Sequence, residues 1–256
     1  MTTVIYDGSY EGWLSAIFEI FEYKLKDVFF AKEAGSSASL FSPPHRVLTC
    51  ETKANRVMKG LEKRLSAEGM RRVYRTFLSE EKGSEELLWR YASQVFASPV
   101  NIEKDFSSPA VWEVEKTSNR VKREAHRMEA FVRFKLTKDQ LYYALIEPDH
   151  NVLPLITGHF KGRYADQRWL IYDLKRKYGI YYDLQTVTTV ELDFNAAINS
   201  SRYIAEISDE REEFFQDLWR RYFSSVNIEA RKNIKLQVKE MPKRYWKHMT
   251  EKMLKT

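Results

Sequence analysis

Three polar side chains in the middle of the chain are the candidates for catalysis. An imidazole beside a carboxylate can act as a general base or help to hold a metal ion, which is the chemistry of a nuclease or a base-processing hydrolase. The candidates for such a hydrolase are His126, His159 and Asp173. Neither HxxxH nor HExxH spacing links any pair of histidines, and no Gly-rich phosphate loop accompanies them. We therefore predict no metal site.

His159 also has a structural explanation. A helix is predicted over residues 152–164, and His159 follows Val152, Leu155 and Ile156 at helical spacing. A histidine on or beside an apolar helix face is more often a hydrogen-bonded core residue than a ligand. We therefore predict a core position for His159.

Two clusters of cations indicate a surface for a polyanion. They are Arg120, Arg123 and Arg127 on a predicted helix, and Lys175, Arg176 and Lys177 with Tyr178 in a predicted hairpin turn. The three arginines are spaced three and four apart, which places them side by side on a helix. Aromatic rings beside guanidinium groups are typical of sites for single-stranded or flipped bases. A solvated turn is the simpler interpretation of the second cluster, because strand alternation directs half of its neighbouring aromatics into the core.

The C-terminal segment is the most basic part of the sequence. Residues 220–256 hold eleven Lys or Arg side chains and three acidic ones, whereas the whole chain has a net charge of +6. The candidates there for contact with nucleic acid are Arg231, Lys235, Lys243, Arg244, Tyr245 and Trp246. A solvated, self-repelling tail is the alternative. Since such a tail needs no aromatic residues, we expect this segment to supply most of the attraction to a nucleic acid.

The elements that must position these residues belong to an α+β fold. Alternating patterns predict two hairpins around the 152–164 helix, joined in one antiparallel sheet over residues 129–183. The first strand of that sheet is predicted within residues 129–136. We predict a single α+β domain over residues 1–256, with a helical N-terminal region of about 1–127, a sheet region of about 128–195 and a basic helical C-terminal region of about 205–256.

Composition limits the class of protein. A hydrophobic fraction of 43% in 256 residues is enough for a substantial core. One cysteine, Cys50, excludes an internal disulfide and a thiolate cluster, which fits a reducing compartment. The N-terminus lacks the pattern of a secretory signal, and no apolar run approaches a membrane-spanning length. We therefore expect a cytoplasmic protein with no cofactor and no membrane partner.

Four long stretches of the sequence resemble a bacterial family. They are YDGSYEGWLSAIFE, EAHRMEAFVRF, YYALIEPDHNVLPLITGHFKGRYADQRWLIYDLKRKYGIYYD and NIEARKNIKLQVKEMPKRYW, in this order between about Ile5 and Trp246. On these motifs the chain is similar to the bacterial family called probable DNA metabolism protein. The matching positions include His126, Arg127, Asn151, His159, Asp166, Gln167, Asp173, Arg176, Arg244 and Tyr245. Ile234 stands where the family has a proline, a difference that concerns only a local turn.

The resemblance implies a role in DNA metabolism and brings no catalytic residues with it. Members of that family occur alone or fused ahead of a uracil-DNA-glycosylase-like domain, and this chain is similar to the stand-alone form. Their companion is a radical SAM protein of the DNA-repair kind, which would hold any iron–sulfur cluster. The apolar stripe Phe214, Phe215, Leu218 and Trp219 is a candidate surface for that partner, although ordinary core burial is the favoured interpretation.

Two functions from different classes follow. The first is an accessory DNA-binding subunit that presents its substrate to the radical SAM partner. The second is an enzyme in its own right, the hydrolase with His126, His159 and Asp173. A purely structural scaffold is a third, less specific function. Catalysis requires these polar groups to meet in one cleft, whereas an accessory role requires a continuous basic face, which the sequence favours.

Overall fold

The chain has an α+β fold, as its sequence predicts, and it forms two compact units. The computed structural model describes residues 2–33, 44–191, 218 and 234–252. One unit extends to Lys122 and the other begins at Arg123. That the whole chain makes a single domain stays a prediction. Within the described ranges, no helix is both long and apolar enough to cross a membrane.

The first unit combines a small parallel sheet with helices. Its elements are β1 Thr2–Tyr6, α1 Tyr10–Glu22, β2 Val28–Lys32, β3 His45–Arg46, α2 Glu51–Glu62, α3 Ala67–Phe77, α4 Ser84–Ala97 and the part of α5 Pro109–Phe131 that ends at Lys122. β1 lies in the middle and pairs in parallel with β2 and with β3. Trp13, Leu61, Leu88 and Tyr91 are among the largest side chains in the core that the helices form.

The parallel sheet was not predicted, because the N-terminal region was expected to be mostly helical. Parallel strands covered on both faces appear in a sequence as short apolar runs without alternation. The apolar residues of β1 and β2 are such runs, and they are too short to distinguish a strand from a helical segment by periodicity.

The second unit is built on a five-stranded sheet. After the end of α5, its elements are β4 Lys135–Leu136, β5 Tyr142–Ile146, α6 Leu153–Arg163, β6 Trp169–Asp173, β7 Tyr178–Tyr182, β8 Val187–Val190, α7 Ile234–Glu240 and a 3₁₀ helix Lys243–His248. The strand order follows the sequence from β4 to β8. The prediction that the strands around the 152–164 helix lie in one sheet is therefore confirmed.

The direction of one strand pair differs from the prediction. β4–β5, β6–β7 and β7–β8 are antiparallel, but β5 and β6 are parallel. The reason is α6, which connects them. A crossover helix returns the chain to the edge of the sheet where the previous strand began, so the next strand runs in the same direction. The sheet is mixed, and its parallel pair creates a shared carboxyl edge.

The first predicted strand is much shorter than expected, and its first three residues are helical. The alternation over residues 129–136 suggested a strand, but α5 extends to Phe131 and β4 contains two residues. The Val132 N–H still donates to the Met128 carbonyl at 3.1 Å, which continues the helical bonding. Ala125 and Met128 are buried on the face of α5, so burial of a helical stripe prevails over a short alternating pattern.

Gly179 should be essential for the pairing of β6 with β7. A Cβ atom there would lie 2.8 Å from the Ile171 carbonyl oxygen, a backbone atom that cannot move without disturbing the sheet. We expect Gly179→Ala to lower the free energy of unfolding by about 1–3 kcal/mol, measured by urea denaturation. Gly158→Ala on α6 is the matched control, because a Cβ there meets nothing within 4 Å. It should stabilise the protein by about 0.5–1 kcal/mol, and equal stability of the two variants would contradict the prediction.

Candidate nucleic-acid interface

The carboxyl ends of β5 and β6 form the edge of the sheet at which the candidate site lies. Their last residues, Ile146 and Asp173, are register partners. The chain leaves β5 through the edge loop (residues 147–151) and leaves β6 through the turn 174–177. The Leu174 N–H donates to the Ile146 carbonyl at 3.0 Å, so the two connections begin side by side. In open sheets, ligands bind at such carboxyl edges of parallel strands.

Asp173 and Arg176 fix the turn to the edge loop. Asp173 is fully buried, and its carboxylate accepts the N–H groups of Lys175 at 2.9 Å and Arg176 at 3.2 Å. The Arg176 guanidinium donates to this carboxylate at 2.8 Å. It also donates to the carbonyls of Pro148 at 3.2 Å and Asp149 at 2.9 Å. Because the Arg176 side chain is 8% exposed, it presents little surface to a phosphate.

Glu124 is a buried carboxylate that also holds the edge loop. It accepts the N–H groups of Asp149 at 3.0 Å and His150 at 2.7 Å. The Tyr245 hydroxyl donates to the same carboxylate. Burial by itself raises the pKa of Glu124, but the hydrogen bonds from Tyr245, Asp149 and His150 outweigh burial and hold the pKa below its usual value. Glu124 is therefore an ionised acid that connects three segments of the unit, namely α5, the edge loop and the 3₁₀ helix.

Arg244 joins the C-terminal segment to the edge loop. Its Nη2 lies 3.2 Å from Glu124 Oε1 and 2.9 Å from Asp149 Oδ2. Its guanidinium lies 4.6 Å from the centre of the Tyr245 ring. The Lys175 ammonium donates to the Asp149 carbonyl at 2.8 Å. Asp149 is thus contacted by both basic segments, the turn after β6 and the 3₁₀ helix, which are far apart in the sequence.

The 3₁₀ helix carries further cations around one aromatic ring. Trp246 is half-buried, and its indole N–H donates to a backbone carbonyl at 3.0 Å. The ammonium groups of Lys243 and Lys252 lie 5.9 Å and 5.0 Å from the centre of its indole ring. Lys247 forms an ion pair with Glu147 of the edge loop. An aromatic ring among cations is the combination that binds a base by stacking and its phosphate by charge.

The remaining predicted cations differ in their contacts and in their exposure. Arg120 belongs to the first unit, where its guanidinium donates to Glu81 at 3.0 Å and 2.5 Å. In the second unit, Arg127 donates to the Lys239 carbonyl at 3.0 Å, and Arg123 is exposed. The exposed lysines near the ends of the two basic segments are Lys175, Lys177, Lys235, Lys239 and Lys243.

Two predicted aromatic residues contribute to the support of the site. The Tyr178 hydroxyl donates to the Asn151 side chain at the end of the edge loop. Tyr245 is buried and bonded to Glu124. Arg231 and the residues Phe214, Phe215 and Trp219 lie outside the described residues. Leu218, from the same predicted stripe, is described and exposed.

The three hydrolase candidates do not share an environment. His126 has a side chain that is 85% exposed, with Nδ1 3.3 Å from Glu129. His159 is also exposed, so the prediction of a core histidine is wrong. The reason is that α6 buries the face with Leu153, Ile156 and Phe160, and the position before Phe160 is turned about 100° away from it.

Asp173, the third candidate, is engaged by the hydrogen bonds of its own turn. Its two oxygens accept from the Lys175 N–H, the Arg176 N–H and the Arg176 guanidinium. In the part of the chain that the structure describes, no group of three or more His, Cys, Asp or Glu side chains is arranged to hold a metal ion.

The sequence analysis missed Glu124 and Asp149, which organise the site. Their signals are present in the sequence. Glu124 falls with Val121, Ala125 and Met128 on the buried face of α5, where a carboxylate requires hydrogen-bond partners. Asp149 belongs to a polar segment between an apolar strand and an apolar helix, which is typical of a site loop.

Comparison with known proteins identifies a family. The model of a domain of unknown function, DUF4130, matches residues 82–251, about two thirds of the chain. The chain belongs to the DUF4130 family. No curated protein and no solved structure matches it. The DUF4130 match contains the candidate site from Glu124 through the edge loop and the turn to the 3₁₀ helix, and it leaves out the parallel sheet of the first unit.

Replacing Glu124 in this DUF4130 protein should destabilise the second unit in a pH-dependent way. Because the folded pKa of Glu124 is lowered, its stabilisation is fully present above the usual carboxyl value of 4.5. It is lost as the pH falls through the lower pKa of the folded protein. We expect Glu124→Gln to cost about 1–3 kcal/mol at neutral pH, a deficit that shrinks as the pH falls below 4.5.

Urea denaturation at several pH values measures this deficit. Asp166→Asn is the matched control, because Asp166 is an exposed carboxylate of the same unit. It should change the free energy of unfolding by less than about 0.5 kcal/mol. A deficit of Glu124→Gln that stays constant from neutral to acid pH would show that the charge of Glu124 does not contribute.

Proposed function

We propose that this DUF4130 protein is an accessory protein of DNA metabolism that binds nucleic acid at the carboxyl edge of its second sheet. The observation that carries the proposal is the double contact at Asp149. Lys175 donates to its carbonyl and Arg244 pairs with its carboxylate. Two basic segments that are separate in the sequence therefore lie beside one edge loop, and a continuous basic face is what phosphate binding requires.

The cations of this face have two separate tasks. Arg176 and Arg244 are bonded to Asp173, Glu124 and the edge loop, so they position the loops. The exposed ammonium groups, among them Lys177 and Lys243, keep their charge available to solvent. Phosphate oxygens attract such groups and release the counterions of the nucleic acid. The supporting arginines thus hold the geometry and the exposed lysines supply the attraction.

Trp246 supports nucleic acid as the polyanion. Its half-buried ring is held by the indole N–H and lies next to Lys243 and Lys252. An inorganic anion does not stack on an aromatic ring, whereas a nucleic-acid base does. The resemblance of the sequence to the bacterial DNA metabolism family points to the same class of ligand, and we propose DNA as that ligand.

The same resemblance supports a partner. We propose that the protein presents DNA to a radical SAM protein of the DNA-repair kind in the cytoplasm. The partner would carry the iron–sulfur cluster and the chemistry, as the resemblance implies. An accessory role requires only that the basic face and the partner surface be available together.

Removing two exposed lysines should weaken DNA binding in a salt-dependent way. Lys177 and Lys243 belong to the two basic segments and are exposed. If both contact phosphates, Lys177→Gln with Lys243→Gln should lower the slope of log affinity against log salt by about 1.8 on duplex DNA, or about 0.9 for each cation. Fluorescence anisotropy with a labelled duplex at several salt concentrations measures the slope. Arg244 is kept, because its loss would also leave Glu124 without its guanidinium partner.

The control removes two charges from the opposite end of the sheet. Lys138 lies in the turn before β5 and Arg163 at the end of α6, both exposed. A five-residue strand spans about 16 Å, so these side chains lie far from the carboxyl edge. Lys138→Gln with Arg163→Gln should leave the slope unchanged. An equal loss of slope in both double variants would mean that net charge, and not this edge, determines binding.

The partner proposal makes its own prediction. Co-expression of the protein with a radical SAM protein encoded beside it should give one shared peak in gel filtration at micromolar concentration. Nuclease treatment before the column separates a direct complex from one bridged by DNA. Two separate peaks from folded proteins would argue against a stable complex, and a shared peak lost on nuclease treatment would argue for DNA as the only link.

A further inference from the structure

The parallel sheet of the first unit ends in β2, whose outer edge faces a groove. β2 pairs with β1 only, and no other strand in the described residues joins it. The Phe30 N–H donates to the Glu86 side chain at 2.9 Å and so points away from β1. Because backbone groups alternate along a strand, those of Val28, Phe30 and Lys32 face outward. The outer edge therefore offers the hydrogen-bonding groups with which another strand would pair.

The Glu86 side chain accepts a hydrogen bond that the carbonyl of a neighbouring strand would otherwise accept. It lies in the first turn of α4 and is half-buried. Its Oε1 accepts the Phe30 N–H, the bond that the carbonyl of a neighbouring strand would make. No cation pairs with Glu86 among the residues that the structure describes, although burial makes an unbalanced charge costly. Glu86 thus marks a backbone acceptor position and, within the described residues, is a carboxylate without an ion-pair partner.

The groove beside β2 has the size and the chemistry for an extended polypeptide. It measures about 860 Å³ and runs between β2 and the segment that leads into α4. Phe29, 43% exposed, and Trp89 supply apolar surface. Three further lining residues, Glu81, Glu85 and Glu86, are half-buried carboxylates, whereas the lining cations Lys32, Lys82 and Arg90 are exposed. The interior of the groove is therefore acidic, and its exposed rim carries the acids Asp27 and Glu80 as well as the three cations.

The other two half-buried acids already have partners. Glu81 pairs with Arg120, and Glu85 accepts the Tyr6 hydroxyl at 3.1 Å and lies 3.6 Å from Lys32. The Glu85 carboxylate and burial together raise the pKa of Tyr6 above its usual range, burial being the larger effect. Of the three half-buried acids, Glu86 is therefore the one that a cation of a bound partner would neutralise.

We propose that β2 is a docking edge for an extended polypeptide segment of a partner protein that carries a Lys or Arg side chain. The segment adds to the sheet as a strand, and one of its carbonyls takes the Phe30 N–H. Glu86, released from that N–H, pairs with the basic side chain of the segment. Backbone bonding supplies the attachment and Glu86 supplies the selectivity. This site is independent of the nucleic-acid face of the second unit.

A carboxylate at a sheet edge can also serve to keep other strands away. The two roles differ in their response to charge. A blocking carboxylate disfavours every added strand because it occupies the edge N–H. A receptor carboxylate disfavours acidic strands and favours basic ones, since only a basic side chain compensates for its release. Preferential binding of basic strands over acidic strands therefore distinguishes a receptor carboxylate from a blocking one.

Fluorescein-labelled heptapeptides test the proposal by anisotropy. The probe alternates valine and lysine, a second peptide alternates valine and glutamate, and a third is the lysine peptide with N-methyl groups on alternate peptide bonds. We expect saturable binding of the lysine peptide, no binding of the glutamate peptide, and no binding of the N-methylated peptide, because methylation removes the backbone donors and keeps the charge.

Two variants of the full chain complete the experiment. Glu86→Gln should weaken binding of the lysine peptide by about tenfold, the effect of about 1.4 kcal/mol. Glu80→Gln is the matched control, since it removes one charge from the same groove, and it should leave the affinity within about twofold. Circular dichroism verifies that both variants are folded.

Three results would overturn the proposal. The first is no binding of the lysine peptide at millimolar concentration, and the second is equal binding of the N-methylated peptide, which would reduce the effect to charge alone. The third is a dimer in sedimentation experiments that dissociates in the Glu86→Gln variant, which would assign the edge to a second copy of this chain.

Discussion

The second unit depends on the burial of one charge. Glu124 lies on the apolar face of α5, where an ionised carboxylate is tolerated only if hydrogen bonds replace its water. Those bonds come from the edge loop and from Tyr245. The need to satisfy Glu124 therefore brings together α5, the loop after β5 and the 3₁₀ helix. The same carboxylate attracts Arg244, so the placement of the basic C-terminal segment follows from this buried charge.

Periodicity in the sequence predicted the kinds of elements better than their connections. The strands of the second sheet and α6 have clear apolar patterns, and they lie in one sheet as expected. Strand direction is not a property of a local pattern, because β5 and β6 became parallel through the length and position of α6. The local sequence also did not determine where α5 ends, because residues 129–136 fit both the helical and the strand period. Burial of Met128 on the helical face favoured the helix, which extends to Phe131.

The sequence also predicted only part of the candidate site. Sequence analysis selected the turn 175–177 and the segment 243–246 by their charge, and both contact the edge loop. It could not separate supporting from exposed cations. Arg176 is enclosed by carbonyls and Asp173, whereas its neighbour Lys177 is exposed. Adjacent residues of equal charge thus have different environments, and this depends on contacts with segments that are remote in the chain. Charge counts predict a basic surface, but contacts decide which cations form it.

The bond between Glu124 and Tyr245 has a consequence for the synthesis of the protein. The two residues are 121 positions apart, so a ribosome needs roughly ten seconds to reach Tyr245 after Glu124 has been made. During that interval α5 can form, but its buried acid lacks the phenol and the guanidinium that later enclose it. The nascent second unit therefore remains incomplete until Tyr245 has been translated. Chaperones that shield exposed apolar surface would meet the second unit in the interval before Tyr245 is made.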